Sequence, residues 1–167
     1  DDPDANSFIL RVGGQLVAET DRYSKHKQSS NHNTILINGV GQTVPGRPEG
    51  MVWSQPGGED MSTMAVVTAM KDIGDIVAVE GEAAGSYPRL TRGTKRPALD
   101  RFRRAFIWVK GNYVLVLDDI RAPEAVDIDW WIQAETLAAV DEKTGRYRLA
   151  KQDAACDFQL VADGEVK

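Results

Sequence analysis

Apolar residues along this chain fall in short runs of about four to nine, separated by glycine, proline, asparagine and aspartate. Ser7–Val12 leads into Gly13-Gly14 and Gln15–Glu19, a hairpin signature, because paired glycines supply the positive φ that tight turns need. Thr34–Ile37 stops at Asn38-Gly39, Met51–Ser54 follows a Pro/Gly-rich stretch, and Ile76–Glu80 ends at Gly81. The clearest hairpin is Arg104–Lys110, Gly111-Asn112, then Tyr113–Leu117, both arms rich in β-branched and aromatic residues. Val126–Gln133, Arg146–Ala150 and Asp157–Val161 complete the series. No long segment shows three- and four-residue apolar spacing, so long helices are not expected. Ser62–Met70 fits a short helix or a strand, and periodicity does not separate the two. The pattern predicts an all-β fold, an antiparallel β-sandwich, formed by residues 1–167 as a single domain. Gly85–Asp100 reads as the longest irregular loop and so as a candidate binding element.

Composition narrows the function classes. A chain of 167 residues is long enough to bury a core, and its net charge of -5 offers no general attraction to nucleic acid or to anionic membranes. No apolar run approaches the length of a membrane span. Cys156 is the single cysteine, so no internal disulfide supports the fold, and a small buried apolar role is expected for it. The chain opens Asp1-Asp2-Pro3-Asp4, without an initiator methionine or signal-peptide pattern, as expected of a processed product or a fragment.

Candidate chemistry centres on Asn31-His32-Asn33-Thr34. His32 lies between two amides at the mouth of an apolar strand, where Asn31 and Asn33 are placed to hold the imidazole in one orientation. The plainer reading of such a histidine is a hydrogen-bonded structural residue. Tyr23-Ser24-Lys25-His26-Lys27 is polar and reads as an exposed loop. Alternatively, Tyr23, Lys25 and His26 face an acidic ligand, cations holding a carboxylate and the phenol stacking or donating. Arg89, Arg92, Lys95, Arg96, Arg101, Arg103 and Arg104 form a basic run in an acidic chain. It reads first as a solvated stretch paired with carboxylates and second as a patch for an anionic polymer, with Arg103 and Arg104 tied to the following strand. Adjacent Trp130 and Trp131 must point to opposite faces of a strand, one into the core and the other toward a sugar ring or a neighbouring domain. Asp118-Asp119 looks like a pair of turn-forming carboxylates, not the acid pair of a glycosidase. There is no P-loop, dinucleotide fingerprint, nucleophile elbow or paired-cysteine motif, and Gly39-Val40-Gly41 reads as a turn.

The segment DRYSKHKQSSNHNTILINGVGQ resembles the start of the C-terminal β-sandwich of heparinase II/III-like polysaccharide lyases, which read H-N-T, an apolar strand, then G-x-G-Q. The preceding DPDANSFILRVGGQLVAETDRY resembles the lead-in of that domain, and RAFIWVKGNYVLVLDDI fits its strand-turn-strand-Asp pattern. The resemblance implies β-elimination on an acidic, uronate-containing polysaccharide such as heparin, heparan sulfate or alginate. The main Tyr, His and Asn catalysts are then expected on an N-terminal α/α toroid of the same polypeptide, and the sandwich alone is expected to be inactive. It implies a periplasmic or secreted protein. It also implies His32 as a catalytic contributor at the cleft edge, with Tyr23, His26, Asn31 and Asn33 as substrate-binding candidates. In one branch the matching histidine binds structural zinc together with a histidine two positions earlier. Here that position is Ser30, so no zinc or other cofactor is expected. The competing expectation is a stand-alone carbohydrate-binding or structural β-sandwich.

Overall fold

A computed structural model describes residues 3–18, 27–43, 49, 65–91 and 94–163. Among these residues the chain is all-β and antiparallel, with three short 3-10 turns and no α-helix. Thirteen strands run in order: β1 Leu10–Val12, β2 Gln15–Ala18, β3 Ile35–Ile37, β4 Val66–Ile73, β5 Ile76–Glu82, β6 Pro88–Thr91, β7 Thr94–Pro97, β8 Arg101–Val109, β9 Tyr113–Arg121, β10 Ile128–Trp130, β11 Thr136–Asp141, β12 Arg146–Lys151 and β13 Ala154–Gln159. The largest sheet has the order β4-β5-β8-β9, and a second has the order β11-β12-β13. Three two-stranded ladders join β1 to β2, β3 to β10 and β6 to β7.

The expected hairpins form for the expected reason. Gly13 and Gly14 take φ of 54° and 84° between β1 and β2, and Gly111 takes 77° between β8 and β9. Ser62–Met70 resolves in its described part as strand β4. Met51–Ser54 lies outside the described residues. The Gly85–Asp100 expectation is corrected. A 3-10 turn at Ala84–Ser86 and the β6–β7 hairpin occupy it, with Pro88 opposite Pro97 at the hairpin base. Two prolines flanking a polar stretch look like loop in sequence, yet a proline at a strand end lacks only a donor the ladder does not use there.

Two apolar clusters hold the strands. One gathers Ile35, Ile37, Tyr87, Leu99 and Phe102, with Trp130 packed against it. The other gathers Val17, Ala18, Leu149 and Ala154, with Phe8, Ile132, Cys156 and Phe158 at its edge. Phe8 and Trp130 touch across the seam, their ring centroids 6.2 Å apart. Burial and the neighbouring Asp157 carboxylate both push the Cys156 thiol up, as befits a partly buried packing residue.

The four-stranded sheet has an unusual outer side. Register places Leu115 opposite Ile107, Leu117 opposite Ala105 and Tyr113 opposite Val109, while Ile73 faces Ile76 across the β4–β5 turn. Leu115, Leu117, Tyr113, Ile73 and Ile76 are all exposed.

Candidate functional site

The segment carrying His32 is a tight 3-10 turn, Ser29–Asn31, feeding β3. The Gln28 N–H donates to Asn31 Oδ1 at 2.9 Å, and the His32 N–H donates to Ser29 O at 3.0 Å. Asn33, Thr34 and Gln42 are then fastened to distant parts of the chain. Asn33 Nδ2 donates to Phe8 O at 2.6 Å, and Asn33 Oδ1 accepts from the Gln133 N–H at 2.6 Å. Thr34 Oγ1 donates to Ala5 O at 3.0 Å and lies 3.2 Å from the Tyr87 hydroxyl. Gln42 Nε2 donates to Ala5 O at 2.9 Å and to the Tyr87 hydroxyl at 3.0 Å, while Gln42 Oε1 accepts from the Ala5 N–H at 2.8 Å. Tyr87 completes the set by donating to Ile35 O at 3.0 Å. Burial pushes the Tyr87 hydroxyl above its ordinary range, against the opposing bonds from Thr34 and Gln42.

Arg104 anchors the turn from beneath. Its side chain is fully buried, and Nη1 donates to Asn6 O at 2.8 Å and to Asn33 O at 2.9 Å. Its other nitrogens grip Asp118, which also accepts from Trp130 Nε1 at 3.1 Å. Phe8, Phe102 and Trp130 surround the guanidinium, whose carbon lies 5.9, 5.3 and 5.8 Å from the three ring centroids.

His32 differs from its neighbours. It is 8 % exposed, no hydrogen bond reaches its ring among the described residues, and Nδ1 is buried without a partner. A structural histidine ordinarily has its tautomer set by a bond to one nitrogen. This one has no such bond among the described residues.

Several expectations change. Asn33 is fully buried, and its amide bonds to Phe8 O and the Gln133 N–H. Asn31 and Asn33 do not orient the imidazole either. The Asn31 acceptor is held by Gln28, and the Asn33 amide by Phe8 and Gln133. Tyr23 and His26 lie outside the described residues. Asp118 and Asp119 do not form a turn; both lie within β9, where they meet Arg104 and Arg101 across the ladder. Within the basic run, Arg89 pairs with Glu124 at 3.3 Å, Arg101 with Asp119 at 2.8 Å, Arg103 with Glu82 at 3.4 Å and Arg104 with Asp118 at 2.6 Å. Trp130 is the core tryptophan of its pair and Trp131 the exposed one.

Sequence reasoning missed Gln133 and Tyr87. Both act through contacts far along the chain, and no local pattern marks them. The glutamine of the G-x-G-Q motif was the one visible signal, since a glutamine after a glycine turn beside an apolar strand needs buried partners.

Comparison with protein-family models and with curated proteins finds no match for this chain. Function therefore rests on the site itself. Among the described residues no three His, Cys, Asp or Glu side chains converge on one point. What remains is a single, largely buried imidazole on a platform of bonded neighbours. Such a group can hold a carboxylate or transfer a proton, provided that a ligand and further catalysts are brought to it.

Proposed function

We propose that this chain is the C-terminal β-sandwich of a heparinase II/III-like polysaccharide lyase that cleaves uronate-containing acidic polysaccharide by β-elimination. The reaction removes the C5 proton of a uronate and expels the 4-linked oxygen. It needs a base, an acid for the leaving oxygen and groups that neutralise the carboxylate. The main catalysts lie on an N-terminal α/α toroid of the same polypeptide, and the enzyme works in the periplasm or outside the cell. In this reading His32 meets the uronate carboxylate or steadies the sugar at the edge of the cleft.

One observation carries the reading. In the H-N-T and G-x-G-Q motifs, Asn33, Thr34 and Gln42 are engaged with the protein itself, and only His32 is not. A motif built to hold one unbonded imidazole is a presenting device.

The test is His32→Ala in the parent enzyme, with folding followed by melting temperature. Turnover should fall by roughly two orders of magnitude, the scale of losing one preorganised donor, while the fold survives. Normal turnover on heparin, heparan sulfate and alginate would remove His32 from the site. The purified 167-residue chain should release no unsaturated uronates from these polymers.

A further inference from the structure

Trp130 to Ala134 runs beside the His32 turn, its N–H groups at Trp131 and Gln133 bonded to Thr34 O and Asn33 Oδ1. Trp130 packs against the first apolar cluster, and Ile132 and Ala134 pack against the second. Trp131 and Gln133 belong to neither. The Gln133 Nε2 donates to Ser30 O, within the turn that presents His32. Trp131 lies along the same turn: its own N–H is bonded to Thr34 O at 2.9 Å. The indole is 38 % exposed and, among the described residues, makes no ring contact, unlike Trp130 with Phe8 and Phe158. Two groups without internal partners thus sit on one rigid platform: an exposed indole face and a nine-tenths buried imidazole whose Nδ1 bonds nothing.

We propose that Trp131 is the stacking platform of a sugar subsite whose polar member is His32. A pyranose presents a flat C–H face to which an indole is complementary, and a uronate adds a carboxylate at the ring edge for an imidazole to meet. The backbone bonds of Trp131 and Gln133 to Thr34 and Asn33 hold the two groups in fixed relation. A ligand therefore orders little protein on binding. The uronate part rests on the lyase reading above; the stacking part does not.

The test is calorimetric titration of the 167-residue chain with alginate and heparin tetrasaccharides, and with neutral maltotetraose. Trp131→Ala should weaken binding of an acidic tetrasaccharide about tenfold, the order expected of one stacked aromatic, and Trp131→Phe should lose less. Equal binding by wild type and Trp131→Ala would overturn the subsite and leave the lyase reading standing. Loss of maltotetraose binding in Trp131→Ala, with no preference for the acidic sugars, would support stacking and overturn the uronate reading. No binding of any of the three by wild type would overturn both. Acrylamide quenching keeps the test independent of how alanine affects folding. Tetrasaccharide should shield an accessible indole in wild type and not in Trp131→Phe, and equal shielding in the two proteins counts against the proposal.

Discussion

Arg104 on β8 and Asp118 on β9 are register partners whose side chains meet in a two-point ion pair, Nε to Oδ1 at 2.6 Å and Nη2 to Oδ2 at 2.7 Å. The guanidinium is out of water and the carboxylate nearly so. A buried pair of this kind loses hydration on folding, so its value lies less in net stabilisation than in the penalty for breaking it. Asp118→Asn should therefore destabilise the chain by ~3–5 kcal/mol, because it strands a buried cation. Replacing both partners by Arg104→Met and Asp118→Leu should recover a large part of that loss. Urea midpoints of the two single variants and the double variant decide the matter.

His32 should behave oppositely. Since Nδ1 is buried without a partner, the fold gains little from the imidazole. His32→Leu should melt at or above the wild-type temperature, because an apolar group removes an unsatisfied atom worth ~1–3 kcal/mol. A clear drop in melting temperature would mark His32 as structural and weaken its functional assignment.

Tyr87 makes stability pH-dependent on the alkaline side. Burial raises its folded pKa above the ordinary 10.0, so the folded state holds the phenolic proton more tightly than the unfolded chain does. The associated stability is fully present below about pH 10 and is lost as pH rises from there through the folded pKa. Unfolding midpoints measured from pH 8 to pH 11 should fall in wild type, and Tyr87→Phe should flatten that fall while lowering stability at neutral pH.

Asn33 fastens two segments that lie 25 and 100 residues away in sequence. Asn33→Ala removes the partner of the Phe8 carbonyl and of the Gln133 N–H, each a loss of ~1–3 kcal/mol if left buried and unsatisfied. Hydrogen exchange should show the Gln133 amide losing protection in this variant ahead of the β8 and β9 amides.

Local chemistry was legible in the sequence; distant partnerships were not. Gly13-Gly14 and Gly111-Asn112 announced their hairpins because positive φ is a property of the residue itself. Arg103 and Arg104 were both expected to be tied to the following strand; Arg104 pairs with Asp118 on β9, whereas Arg103 pairs with Glu82 on β5. Strand β11, Thr136–Asp141, was missed because its exposed, alanine-rich sequence carries no apolar alternation. At the site, His32 stood out by residue type, but its lack of partners is visible only once Asn33, Thr34 and Gln42 are seen bonded elsewhere. Those bonds span up to a hundred residues, and nothing local encodes who meets whom. The Asn33 bonds were invisible for this reason: an amide beside a histidine looks the same whether it faces a ligand or a backbone carbonyl.

The outer side of the β4-β5-β8-β9 sheet bears on heat capacity. Leu115, Leu117, Ile73 and Ile76 are 42–70 % exposed in the folded state, so unfolding gives water less new contact with them than with buried residues of their size. Newly wetted apolar surface is what raises the heat capacity of an unfolded chain, ordinarily by ~12–15 cal/mol/K per residue. Scanning calorimetry of this chain should return an increment below that range. The stability curve is then broad and shallow, changing little across ordinary temperatures.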